Sequence, residues 1–270
     1  MNGIMPITDE QFNRFRKLIY EVAGISMADE KKMLVASRLA KRLSFYNLNS
    51  YGRYFQLVNS PQYPGEFQMM VDLLTTNETY FFREDQHFHF IKNDLLKNWR
   101  GDNLRVWSAA CSSGEEVYTI AMILAETLGV RPWEVLGSDI SSRVLNSCRQ
   151  AVYPMSRADK MPREYLQKYC LKGVREQEGM LLIDQKLRSR CTFQQINLME
   201  TIPNIGMFDM LFLRNVMIYF NHETKVKLVD KLLSHLKPGG FMFISHSETL
   251  NNITKKLKTV RPSVYMKPER

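Results

Sequence analysis

The stretch Ser108-Ala109-Ala110-Cys111-Ser112-Ser113-Gly114-Glu115-Glu116 joins a run of small side chains to two adjacent carboxylates. Small residues let a ligand approach the backbone, and a helix beginning there presents unpaired N–H groups. Gly114 is the single glycine of the stretch, so this is not the GxGxxG of a dinucleotide site. Glu115 and Glu116 put negative charge where a pyrophosphate would lie, and a cationic cofactor suits the loop better than NAD. Asp139 stands 24 residues beyond Glu115, about the interval at which a carboxylate accepts hydrogen bonds from a ribose diol. Asn197-Leu198 offers an amide and an apolar contact for a base, and Arg214-Asn215 adds an arginine and a second amide. Any one of these also fits a helix cap. The combination describes an S-adenosylmethionine site.

An open parallel sheet binds ligands beyond the carboxyl ends of its strands, so those residues must follow strands. The chain supplies them. Leu104 to Trp107, Glu134 to Ser138, Cys191 to Ile196, Phe208 to Leu213 and Phe241 to Ser245 read as strands. Val117 to Leu128, Ser141 to Ala151 and Lys225 to Leu236 read as helices, and Lys237-Pro238-Gly239-Gly240 as a turn. Alternating strands and helices predict an α/β fold with a mostly parallel sheet. Gly173 and Gly179 flank Met180 to Ile183, which suggests a small antiparallel β insert over residues 172–193.

The first 85 residues have a different texture. Thr8-Asp9-Glu10-Gln11 has capping-box form, and Phe12, Phe15, Leu18, Ile19 and Val22 follow at helical spacing as far as Gly24. From Lys31 to Leu43, Val35, Ala36, Leu39, Ala40 and Leu43 share one arc, opposite Lys31, Arg38, Lys41 and Arg42. No acidic residue occurs between Lys31 and Arg53. After a turn cluster at Asn59 to Gly65, Phe67, Met70, Val71, Leu73 and Leu74 resume a helical pattern. The expected division is a helical domain with its linker over 1–85 and the α/β domain over 86–270.

Composition narrows the class. The 270 residues are 44% hydrophobic and 24% charged, which excludes disorder and low complexity. No apolar run is long enough to span a bilayer, and the N-terminus lacks the pattern of a signal peptide, so a cytoplasmic protein without membrane insertion is expected. Four widely spaced cysteines and five scattered histidines form no metal-ligand motif, and no metal is expected. His87-x-His89 reads as part of a helix at the domain junction, and His246 as a hydrogen-bonded structural residue. A formal charge of +9 favours an acidic partner without choosing one.

LLTTNETYFFRE (Leu73 to Glu84), VWSAACSSGEEVYTIAM (Val106 to Met122), SDIS (Ser138 to Ser141), INL (Ile196 to Leu198), FLRNVMIYF (Phe212 to Phe220) and LKPGGFMFISHSE (Leu236 to Glu248) together resemble the chemotaxis receptor methyltransferases, the CheR family, over nearly the whole chain. The resemblance implies a Rossmann-like, S-adenosylmethionine-dependent methyltransferase domain behind a small N-terminal all-helical domain. It implies transfer of methyl to glutamates of bacterial chemoreceptors, giving glutamate methyl esters and S-adenosylhomocysteine. Matching motifs carry the family's cofactor contacts onto Asn77, Thr79, Arg83, Glu115, Asp139, Asn197, Leu198, Arg214 and Asn215, and place Arg83 and Tyr219 near the transferred methyl. The expected partner is the acidic cytoplasmic methylation region of a receptor, met by a monomer. The basic helix expected from Lys31 to Arg53, with Arg38, Lys41, Arg42 and Arg53, is the expected docking face, against the alternative of a solvated helix face. A nucleic-acid methyltransferase is the rival reading; Arg214-Asn215-Val216-Met217 stands where an amino-methylating DNA enzyme would carry Asp/Asn-Pro-Pro-aromatic, and no base-flipping cassette is evident. A noncatalytic cofactor-binding module is a second rival.

Overall fold

The computed structural model describes residues 4–97, 99 and 101–269. Helix α1 (Asp9–Ala23) starts where Thr8 Oγ1 accepts from Gln11 N at 3.2 Å while Gln11 Oε1 accepts from Thr8 N at 3.1 Å. It stops at Gly24, whose positive φ of 70° suits the left-handed cap. Phe12, Phe15, Ile19 and Ala23 are buried against α2 (Lys32–Phe45), α3 (Tyr51–Val58) and α4 (Glu66–Leu74), which together form a separate helical core.

The basic segment is not one helix. Asn47 takes a positive φ of 52° and Leu48 N donates to Leu43 O at 2.8 Å, which closes α2 and redirects the chain into α3. Two of its arginines also turn inward. Arg42 donates to both oxygens of Glu66, at 2.8 and 2.5 Å, and Tyr54 and Tyr46 add hydroxyls at 2.7 and 3.0 Å. Burial alone would raise the Glu66 carboxyl; these bonds outweigh it and hold it below the usual carboxylate range. One buried carboxylate thus ties α2, α3 and α4 together.

Helix α5 (Gln86–Phe90) follows the linker and runs into a π-helical turn, Ile91–Leu95. The sheet then alternates with helices: β1 (Leu104–Ala109), α6 (Glu115–Leu128), β2 (Trp133–Asp139) and α7 (Ser142–Gln150). A three-stranded antiparallel sheet interrupts the pattern, with β3 (Val152–Pro154) and β4 (Cys170–Lys172) on either side of β5 (Met180–Ile183), α8 (Arg163–Tyr169) between β3 and β4, and α9 (Gln185–Arg188) after it. The insert therefore begins at Val152 rather than at 172, and the expected strand from Cys191 returns to the main sheet as β6 (Cys191–Gln195). The chain finishes with β7 (Phe208–Leu213), α10 (His222–Leu233), β8 (Leu236–Ile244), β9 (Lys258–Arg261) and β10 (Val264–Met266).

The main sheet has the order β6-β2-β1-β7-β8-β10-β9, parallel from β6 to β8 and antiparallel beyond. Every residue of β7 is buried, as a central parallel strand covered on both faces requires. Gly137 in β2 is needed for packing: a Cβ there would lie 2.8 Å from Phe193 and 2.9 Å from Val117. The expected Lys237–Gly240 turn lies inside β8. Gly239, with φ of 76°, and a register shift between Phe208 and Met210 let the strand continue, and Lys267 pairs with it through Gly239 N and Gly240 O. Among the described residues no helix is long and apolar enough to cross a membrane.

Glu66→Gln removes the charge opposing a largely buried guanidinium. It should destabilise the protein by roughly 3 kcal/mol in a denaturant titration, the scale of breaking a buried ion pair. Exposed Lys41→Gln should leave the midpoint unchanged.

Candidate active site

The chain leaves β1 through α6 toward β2 and β6, then crosses to β7 on the other side of β1, so the strand order reverses beside β1. A crevice forms at such a switch point. Here it is a cleft of about 460 Å³, within the range of small-ligand sites. The strand-end residues Ala110 to Ser112, Asp139, Ile196 to Leu198 and Arg214-Asn215 line it, as do Asn77, Thr79 and Arg83 of the linker and Tyr219. All the sequence-derived cofactor candidates except Glu115 therefore meet at one place.

Glu115 faces away. It is 1% exposed, accepts from Ser113 Oγ at 2.6 Å, and burial pushes its carboxyl up. Glu116, one residue later and about 100° round the helix, borders the cleft instead and accepts from Ser108 Oγ at 2.7 Å. Asp139 accepts from Ser112 N and Ser141 N, both at 2.9 Å. Burial raises its carboxyl and these bonds oppose the shift, while lone pairs remain on both oxygens for a diol. The Asn197 amide is engaged: Nδ2 donates to Val22 O at 2.7 Å and to Glu200 Oε1 at 3.0 Å, and Oδ1 accepts from Met199 N at 3.0 Å. It shapes the loop that presents Leu198, leaving no side-chain donor for a base.

Arg214 departs furthest from expectation. Its side chain is 2% exposed and lies between Glu116 Oε2 at 2.7 Å and Glu84 Oε2 at 3.1 Å, while Nη2 also donates to the Arg83 carbonyl. It holds the linker against the sheet, so it positions Arg83. Burial works against the Glu84 charge, but Arg214 together with donors from Ser245 and His246 N brings its carboxyl down to about 2. Asn215 Nδ2 donates to Ser245 Oγ at 2.7 Å.

Arg83 is half-buried, donates to Glu78 O at 2.7 Å, and packs 5.8 Å from the Tyr80 ring. Tyr219 also lines the cleft, and its carbonyl accepts from Ser26 N at 2.9 Å. Ser26, Met27, Ala28, Lys31, Leu34 and Arg38 of the helical domain complete the wall. No motif in the sequence marks Ser26, Met27 and Ala28, which belong to no strand end and have no apolar period. Arg38 donates to Leu74 O and Thr75 O at 3.0 and 3.2 Å, which places it beside the cleft rather than on an outer face. Lys41 and Arg53 are exposed.

The donors fit an adenosyl sulfonium amino acid. Asp139 suits the ribose diol, Ile140, Ile196 and Leu198 an apolar base, and Glu116 with Arg83 the charged amino-acid end. Trp107 and the run Tyr80-Phe81-Phe82 read from sequence as core; Trp107, Phe81 and Phe82 are buried, whereas Tyr80 is half-buried and lines the cleft. His87 lies in α5 as expected, whereas His246 is exposed and only its backbone N–H is bonded among the described residues.

Glu84 has a folded-state pKa below its ordinary 4.5, so its stabilising share is complete above pH 4.5 and is lost as pH falls toward about 2. Unfolding midpoints of the native protein should drop across that window more steeply than those of Glu84→Gln. Arg214→Lys, which cannot span three acceptors with one planar fork, should lower turnover about 100-fold through misplaced Arg83.

Residues 77–266 match the family model described as the CheR methyltransferase, SAM binding domain, and residues 10–75 that of the CheR methyltransferase, all-alpha domain. Chemotaxis protein methyltransferase 2 of Pseudomonas aeruginosa is 40% identical over 263 residues, covering 96% of this chain and 93% of that protein. The chemotaxis protein methyltransferase of Escherichia coli is 38% identical over 270 residues, covering 98% of this chain and 93% of that one, and that of Salmonella typhimurium is 38% identical over 268, covering 98% and 92%. The two matched domains coincide with the helical core and the sheet described above, and the chain belongs to the CheR methyltransferase family, whose cofactor is S-adenosylmethionine.

Proposed function

We propose that this protein methylates glutamate side chains in the cytoplasmic methylation region of bacterial chemoreceptors, forming methyl esters for chemotactic adaptation. The relatives named chemotaxis protein methyltransferase support this reading. The observation that carries it is that Arg83 and Tyr219 line one cleft whose donors suit S-adenosylmethionine. Bound S-adenosylmethionine supplies a methyl group made electrophilic by its sulfonium.

A glutamate carboxylate is already ionised near pH 7, so no strong general base is needed and the protein's work is geometry. Arg83 offers a cation, and Tyr219 a hydroxyl, to fix one oxygen of the incoming carboxylate while the other is left to react. Proximity and orientation of this kind contribute up to about 7–11 kcal/mol to a displacement. Residues from Ser26 to Lys31 and from Thr75 to Tyr80 line the cleft, and enclosure of this kind strips water from the nucleophile. Exposed Lys31, Lys41 and Arg53 on the helical domain steer an acidic receptor helix toward that entrance. The protein acts on the receptor as a cytoplasmic monomer and has no nucleic-acid substrate.

The deciding experiment is tritiated-methyl transfer from S-adenosylmethionine to receptor-containing membranes, with DNA as a parallel acceptor. Label on a receptor-sized protein that base releases as methanol is the expected result; base-stable label on DNA overturns the reading. Arg83→Ala should lower turnover about 100-fold with an unchanged unfolding midpoint. Charge reversal at Lys41 and Arg53 should lower kcat/KM about tenfold at low salt and flatten its salt dependence, with kcat nearly unchanged.

A further inference from the structure

Outside the cofactor cleft, the junction of α5 with the end of β8 gathers three metal-ligand side chains. Glu84, His87 and His246 each place one ligand atom within 4.8 Å of the others, and the two imidazole centroids are 4.7 Å apart. His87 is 2% exposed. Its Nε2 lies 2.7 Å from Ser263 Oγ, and that hydroxyl donates to Pro262 O at 2.6 Å. With the hydroxyl proton committed to the carbonyl, Nε2 carries the imidazole hydrogen and Nδ1 keeps a free lone pair. Among the described residues that buried Nδ1 has no hydrogen-bond partner. It faces Glu84 Oε2 at 3.9 Å, too far for a hydrogen bond.

We propose that Glu84, His87 and His246 form a binding site for a borderline transition dication of the zinc class, with a fourth position open to water beside the exposed His246. Two imidazoles and one carboxylate are the donor set of open zinc sites. The Ser263 contact is the outer-shell anchor that fixes the tautomer of a ligating histidine. Tetrahedral zinc would hold its donors about 3.3 Å apart, so the widest pair must close by up to about 1.5 Å. The exposed His246 ring can turn to do so, since only its backbone N–H is bonded among the described residues, to Glu84 Oε2 at 3.3 Å. Arg214 opposes a cation here, but it is shared by Glu84 and Glu116, and the three side chains carry a formal charge of −1 between them. A dication is therefore drawn to a locally acidic group that no proton on His87 balances.

Cobalt(II) titration of the metal-stripped full-length protein tests the proposal without reference to methyl transfer. The expected result is one equivalent bound, with visible d–d bands of a low-coordinate ion that zinc(II) abolishes by displacement. His246→Gln changes an exposed residue and keeps the fold; it should weaken cobalt binding at least about tenfold and remove those bands. Ser263→Ala should weaken binding about tenfold by releasing Nε2, and the buried N–H it leaves unpaired should lower the unfolding midpoint modestly while the protein still folds. His89→Gln, exposed on the same helix, should leave the titration as it was. A cobalt titration unaltered in His246→Gln, thiolate charge-transfer bands from the cysteines, or no stoichiometric binding would each overturn the assignment.

Discussion

A guanidinium removed from water must be matched by charge and hydrogen bonds, and at Arg214 that requirement shapes the cleft. Glu84 and Glu116 supply opposing charge from the linker and from α6, and the Arg83 carbonyl takes the remaining direction of the planar fork. The surrounding backbone is strained. Phe82, Glu84 and Asn215 all have positive φ, at 59°, 55° and 57°, which costs non-glycine residues on the order of 1 kcal/mol each. Such strain persists only where the neighbours over-determine it. Arg214 binds two of the three strained positions or their immediate neighbours, so the same charge cluster that is costly to bury keeps the linker in the conformation that presents Arg83.

The helical domain takes part in the site rather than merely preceding it. Ser26 N donates to Tyr219 O, Asn197 Nδ2 donates to Val22 O, and Asn221 Nδ2 donates to Tyr20 OH, all between 2.7 and 2.9 Å. The end of α1 thus grips the two loops that carry Leu198 and Tyr219. On the other side, Asp72 of α4 accepts from Ser142 Oγ at 3.1 Å and from Arg143 N at 3.3 Å, where α7 begins. Neighbouring attachments that straddle a cleft fix its width, which is the variable that orientation of a displacement depends on.

What the chain's letters reveal follows from the range of the interactions concerned. The Thr8 cap, the apolar run Phe208–Leu213 and the strand-end positions of Asp139 and Asn215 depend on neighbours a few residues away, and period and capping suffice to find them. The LKPGG turn was misread because strand β8 is completed by Lys267, from the end of the chain. The start of the insert was placed too late because Val152–Pro154 is only three residues long and pairs with β5 across a helix. Glu115 and Glu116 are adjacent in sequence but point in different directions round α6, so spacing could not choose between them. His87 and His246 are remote in sequence, and only the docking of α5 on the sheet brings their rings together.

The distribution of charge separates recognition from chemistry in this molecule. Arg42 and Arg214 are held by largely buried carboxylates and Arg38 by main-chain carbonyls, so these three arginines serve the structure. Such pairs contribute little field at a distance, because each cation is cancelled nearby. Lys41 and Arg53 are exposed, so their charges act outward over a Debye length of about 8–10 Å. That field can bring many acidic surfaces to the entrance. In the proposed reaction, selection of one carboxylate then falls to orientation at Arg83 and Tyr219 rather than to attraction at a distance.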